Sequence, residues 1–223
     1  MIDSPTPPAC NRCRGREDSR FTTPITMAFQ PIVDVIDRRV WAQEALVRGT
    51  DGAGAADILG QVDEASRYSF DQQCRTTAIE VASRTGLADA LSINFMPNAV
   101  YEPRACIRTT LIAAERHDFD LSRLIFELTE TEMVRDPDHL RRIMTAYRRF
   151  GFRTAIDDFG AGFAGLGLLS DMQPDIIKID RKLISGIDAE PVRQAILAGI
   201  IETARTLGIS IVAEGIERLE EAR

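Results

Sequence analysis

From residue 25 onward, short runs rich in Val, Ile, Leu and Phe alternate with longer stretches whose apolar residues recur every three or four positions. The short runs are TMAFQPIVDV, VWAQEALVR, LSINFM, LIFELT, RTAID, DIIKID and SIVAE, and their β-branched and aromatic content predicts seven strands. Asp37-Arg38-Arg39 is a polar turn between the first two, which predicts an adjacent pair. Helical spacing predicts helices at 55–68, 70–85, Arg104 to His117, Asp136 to Gly151 and Glu190 to Leu207. Asp136-Pro137 offers a capping carboxylate with proline at the first helical position, and Gly86, Gly151 and Gly208 stand where helices should stop. Strands alternating with helices imply parallel pairing, with the helices outside the sheet.

Polar residues interrupt these apolar runs near their ends. They are Glu44 in AQEALVRG, Asn94 in LSINFMP, Glu127 in LIFELTE, Asp157 and Asp158 in TAIDDFGAGF, Lys178 and Asp180 in IIKIDRK, and Glu214 in IVAEGIE. A carboxylate in such a run is costly to bury unless it is paired or bound to a cation. A β/α barrel collects residues from many strand ends on one face, whereas a doubly wound sheet concentrates them at one switch point. The spread of acids over several strands predicts an α/β fold, a TIM-like (β/α) barrel.

Composition narrows the function classes. The 223 residues are 44% hydrophobic, enough for one sizeable core, and the net charge is -7. No basic stripe exists to meet phosphate, so a nucleic-acid polymer is not an expected partner. The densest basic stretch, Arg141, Arg142, Arg148 and Arg149, has helical spacing and reads as a solvated helix face. No apolar run approaches the roughly 18 residues of a membrane span. Residues 1–24 lack the apolar segment of a signal peptide, and the chain reads as cytoplasmic with no membrane partner. The same 24 residues, with Cys10 and Cys13 in a lone CNRC turn, read as a disordered leader before a single domain at 25–223. Cys74 and Cys106 lie in helical patterns and read as small buried hydrophobes.

The candidate ligands are oxygen donors, which suit magnesium, manganese or calcium rather than zinc or copper. His117 and His139, the only histidines, fall near helix ends and read as surface residues. No nucleophile elbow or P-loop occurs, which leaves metal-activated water as the nucleophile. Adjacent aspartates point to opposite faces of a regular strand, but a bend at the strand end could turn Asp157 and Asp158 toward one cavity. That arrangement suits two cations about 3.5–4 Å apart, as in two-metal phosphoesterases. Lys178 would position water or phosphate, Asp180 shares its strand face, and Arg48, four residues past Glu44, could pair with a phosphate oxygen. The alternative is a buried salt-bridge network, although the acids outnumber the two basic partners.

With these motifs in place, the chain resembles an EAL domain, the bacterial phosphodiesterase family that opens cyclic di-GMP. Glu44-Ala45-Leu46 is the signature itself, and FQPIVD, INFMP, FELTE, DDFGAG, KID and AEGIE follow in the family's order over about residues 27–217. INFMPNAVY, IDDFGAGFAGLGLL and RYSFDQQCR further resemble the branch fused to blue-light-sensing BLUF domains. The resemblance implies hydrolysis to linear pGpG with two Mg2+ or Mn2+ per site, and Ca2+ is expected to inhibit. It implies that Glu44, Asn94, Glu127, Asp157 and Asp158 are metal ligands, with Glu44, Asp158, Lys178 and Glu214 carrying the catalysis. Lys178 matches the lysine that contacts the catalytic water, and Glu214 the glutamate near the second metal. Arg48 matches the arginine on the substrate phosphate, and Gln30 and Asp180 are also assigned to substrate binding. Glu130 and Glu217 match acids that support loops.

Two departures accompany the resemblance. The loop Gly160–Gly165 reads GAGFAG, without the hydroxyls of the commoner form. The chain also ends at Arg223, before the QGY motif of the family's eighth strand. A seven-stranded barrel with a first strand expected to be antiparallel leaves two bare edges, which predicts a homodimer or marginal stability. The runner-up function is a non-catalytic or weakly active module that acts by nucleotide binding or through a regulatory protein partner.

Overall fold

The structure is a computed structural model and describes residues 20–129, 136–162 and 165–222. Cys10, Cys13 and Glu130 lie outside the described residues. Strands β1 (Ile25–Asp34) and β2 (Arg39–Gly49) pair antiparallel. Then β3 (Ala90–Asn94), β4 (Leu124–Thr129), β5 (Arg153–Phe159), β6 (Ile176–Ile179) and β7 (Ser210–Ala213) add in chain order, each parallel to the one before. In a flat sheet β2 and β6 would lie about 19 Å apart, four strand spacings. Lys178 of β6 nevertheless reaches Glu44 of β2 at 2.9 Å, so the sheet is curled. It is a half-barrel: among the described residues no pairing joins β1 to β7.

The helices are α1 (Ala55–Leu59), α2 (Arg67–Arg84), α3 (Pro103–Cys106), α4 (Arg108–Arg116), α5 (Pro137–Arg149), α6 (Gly165–Asp171), α7 (Arg181–Ile184) and α8 (Pro191–Leu207). None is long and apolar enough to cross a membrane. The expected helix at 55–68 is broken, because Asp63 and Ser66 bond each other's backbone N–H at 2.7 and 3.1 Å and build a turn instead. The expected helix from Arg104 to His117 starts at Pro103 and divides at Ile107. Packing also begins before residue 25: Phe21 is buried edge-on against Phe70, and its N–H donates to Ser69 Oγ at 2.7 Å.

Period-two alternation sorts the sheet into two faces. Outward residues such as Leu91, Ile93, Phe126, Leu128, Ile156 and Ile177 pack under the helices. Inward residues Ala42, Ala90, Ile125, Ala155 and Ile176 form a separate apolar layer. Two residues further along the same strands stand Glu44, Ser92, Glu127, Asp157 and Lys178. The inner face thus turns from apolar to charged within one side-chain repeat, at the C-terminal ends of the parallel strands.

Two local backbone features set the rim. The β5–β6 register runs Ile156↔Ile177 and then Phe159↔Ile179, so β5 carries one extra residue, and Asp158 takes a left-handed φ of 53°. This bulge turns the second aspartate toward the same cavity as the first. Gly215, directly after Glu214, has φ 70°, and a Cβ there would lie 2.8 Å from Cβ of Arg181. Gly215→Ala should therefore cost about 1–3 kcal/mol of stability, read as a lower urea midpoint with an unchanged far-ultraviolet spectrum.

Candidate functional site

Four inward carboxylates from four strand ends close on one ammonium. Lys178 Nζ lies 2.9 Å from Glu44 Oε2, 3.0 Å from Glu127 Oε2, 2.9 Å from Asp157 Oδ1 and 2.8 Å from Glu214 Oε1. The Lys178 side chain is 2% exposed and that of Glu127 1%, while Glu214 at 26% faces the opening. Asn94 Nδ2 donates to Glu44 Oε1 at 3.1 Å. Ser92 Oγ donates to the other oxygen of Glu127, Oε1. The salt-bridge network weighed from the sequence is thus present, with Lys178 at its centre.

Charge in this network does not balance. Burial opposes the Lys178 ammonium, yet the fields of Glu127, Asp157, Glu44 and Glu214 together hold its pKa well above the ordinary lysine value. Glu127, Glu214 and Asp158 move in the unfavourable direction. Burial pushes Glu127 up to about 7 against the pull of Lys178, and Glu44 and Asp157 add to the rise. Glu214 is raised by burial, again against Lys178. Asp158 is raised by burial first and then by Asp157 and Asp180. One cation cannot neutralise this many buried carboxylates.

The donor geometry fits hard divalent cations. Carboxylate oxygens of Glu44, Glu127 and Asp157 lie within 4.8 Å of one another, and so do those of Asp157, Asp158 and Glu214. Asp157 belongs to both groups. Its buried Oδ1 pairs with the Lys178 ammonium at 2.9 Å. All-oxygen donors and excess negative charge together suit magnesium, manganese or calcium.

The other sequence-predicted residues surround this cluster. Gln30 is directly opposite Glu44 in the antiparallel pair and so shares its face. Arg48 lies on the same strand face as Glu44, half-buried, with its guanidinium donating to the Val47 carbonyl at 2.7 Å. Asp180 caps α7 by accepting from Lys182 N–H at 2.9 Å, and its charge adds to the raised pKa of Asp158. Glu217 is exposed and pairs with Arg181 at 2.9 Å. Ser92 was not singled out from the sequence. Its signal was present, a small polar residue two before Asn94 in an apolar strand and therefore on the same face. Cys106 is buried, whereas Cys74 is half-buried. A cavity of about 470 Å³ between Tyr101–Arg104 and α5 is lined by Arg104, Arg142 and Arg149, a basic environment unlike the acidic cluster.

Comparison with known proteins agrees with this geometry. The EAL domain model matches residues 22–223. The Escherichia coli (strain K12) blue light- and temperature-regulated antirepressor BluF is 34% identical over 195 residues, 87% of this chain and 48% of BluF. The probable cyclic di-GMP phosphodiesterase PdeG of the same strain is 40% identical over 206 residues, 86% of this chain and 40% of PdeG. The chain thus spans less than half the length of either relative. A standalone EAL protein from Vibrio cholerae O395, solved with cyclic di-GMP bound, superposes with a TM-score of 0.87 at 46% identity, covering 91% of this chain and 85% of that one. Klebsiella pneumoniae BlrP1, solved with cyclic di-GMP and either manganese or calcium, superposes at 0.84 with 34% identity, covering 89% of this chain and 51% of that one. Motifs, curled seven-stranded sheet and the family match over residues 22–223 converge: the chain belongs to the EAL domain family.

Proposed function

We propose that this chain hydrolyses one phosphodiester bond of cyclic di-GMP, yielding linear pGpG, in a reaction that depends on Mg2+ or Mn2+. The observation that carries this reading is the pair of overlapping carboxylate groups joined through Asp157. The cyclic di-GMP in the similar Vibrio structure, the manganese in BlrP1 and the phosphodiesterase name of PdeG support it.

Glu44, Asn94, Glu127, Asp157 and Asp158 would hold two divalent cations, with Glu214 beside the second. When bound, such cations supply an activated water and neutralise charge on the phosphoryl oxygens. Lys178 keeps a fixed positive charge beside the reacting phosphate and positions the water. Arg48, Gln30 and Asp180 bind the substrate at the rim. Ser92 holds Glu127 in place through its hydroxyl, and Glu130 and Glu217 support the neighbouring loops. A cytoplasmic location and a homodimer belong to the same proposal. The second reading, a nucleotide-binding module that acts on a regulatory partner, is favoured by the antirepressor name of BluF.

Incubation with cyclic di-GMP and Mn2+ should yield pGpG by chromatography. Binding of the dinucleotide without pGpG would decide for the second reading. Glu44→Ala or Asp157→Asn should abolish turnover while leaving the far-ultraviolet spectrum near wild type; near-normal activity in either variant would exclude the metal assignment. Lys178→Ala should cost about 2–4 kcal/mol of transition-state stabilisation with a much smaller loss in substrate affinity. Equal losses in the two would mark Lys178 as a binding or structural residue. Ca2+ should support cyclic di-GMP binding with poor catalysis, because it accepts more ligands and looser geometry than Mg2+. Arg48→Ala should weaken that binding in calorimetry, and unchanged affinity would remove Arg48 from the substrate site.

A further inference from the structure

A second charged cluster lies on the opposite face of the same strands, sealed under the helices. Asp71 and Arg75, one turn apart on α2, are 2% and 0% exposed and pair at 2.7 Å. Arg75 also donates to the Tyr147 hydroxyl of α5 at 2.6 Å. Its guanidinium sits 5.3 Å from the Phe95 ring, 5.2 Å from Phe126 and 5.8 Å from Tyr147. Phe95 directly follows Asn94, and Phe126 directly precedes Glu127. Asn94 and Glu127 are themselves register partners across β3 and β4.

We propose that Arg75, held by Asp71, is a positioning residue that aims Asn94 and Glu127 into the metal site from behind the sheet. The inference rests on the reading that these two residues serve that site. Three contacts connect the network to them. Asp71 Oδ1 accepts the Met96 N–H at 2.9 Å, which fixes the chain two residues past Asn94. Phe95 N–H donates to the Glu127 carbonyl at 2.9 Å, tying the ends of β3 and β4 together. Phe95 and Phe126 meet edge to face at 6.0 Å, and the guanidinium lies over both rings. A cation over two ring faces is attracted to both. Neighbouring residues in a strand point to opposite faces, so a shift of either ring behind the sheet moves the ligand in front of it.

The energetics point the same way. Nε of Arg75 lacks a hydrogen-bond partner, while Nη2 is paired with Asp71. A buried ion pair with a donor left over is a poor device for stability, because an apolar replacement of equal volume often folds as well or better. What an apolar replacement would lack is direction: the acceptor for Met96 N–H and the cation between the rings.

The test uses the full chain with Asp71→Asn, Tyr147→Phe, Arg75→Gln and Arg75→Lys. Three quantities are measured: Mn2+ affinity by calorimetry without substrate, kcat and KM, and the thermal midpoint. Asp71→Asn and Arg75→Gln should weaken Mn2+ binding and lower kcat by about 10–100-fold, with KM little changed. Tyr147→Phe should fall in the same direction by less, and Arg75→Lys should retain more Mn2+ affinity than Arg75→Gln. If Arg75→Gln does not fold, Asp71→Asn and Tyr147→Phe decide the matter. Folded variants that melt lower but keep wild-type Mn2+ affinity and kcat would overturn the positioning role and leave a structural one. A wild type that binds no Mn2+ would overturn this inference together with the proposed function.

Discussion

The Lys178 ammonium is the hinge on which the inner face depends. Glu44, Glu127, Asp157 and Glu214 come from β2, β4, β5 and the end of β7, and their mutual repulsion opposes the curl that brings them together. One buried cation at hydrogen-bonding distance lets these strand ends converge, and the apolar layer below them supplies burial that favours the curl. The balance is incomplete, because Glu127 stays raised to about 7 by burial even with Lys178 beside it. Residual negative charge in a partly buried, oxygen-lined cleft is an electrostatic demand for further cations.

Position within that cleft comes from backbone as much as from charge. The extra residue in β5 and the left-handed Asp158 let consecutive aspartates share one cavity, which a regular strand forbids. Behind the sheet, the buried pair of Asp71 and Arg75 holds the aromatic neighbours of Asn94 and Glu127. Front and back of the same strands alternate, with the polar cluster of Glu44, Asn94, Glu127 and Asp157 on one side and the Asp71–Arg75 pair on the other.

Much of this was legible along the chain. Seven apolar runs with intervening helical patterns predicted the strand count and the alternation, since both depend on local periodicity. Acids at the ends of Leu- and Ile-rich runs marked Glu44, Glu127, Asp157 and Glu214, because the cost of burying an unpaired carboxylate can be read from its neighbours. The bend at Asp157-Asp158 follows from their place at a strand end. Helix limits were less legible: the break before α2 depends on Asp63 and Ser66 bonding each other's backbone, a competition that spacing does not reveal.

The sequence by itself determined which residues face which side of each strand, and hence that polar groups stand at one end of an apolar sheet. Only the tertiary structure decided that four of those acids meet on one lysine, that Ser92 holds Glu127, and that Arg75 lies behind Asn94 and Glu127. The Lys178–Glu44 contact spans 134 positions. Its existence depends on strand order, register, the β5 bulge and the curl of the whole sheet, and none of these is carried by the periodicity of any single segment.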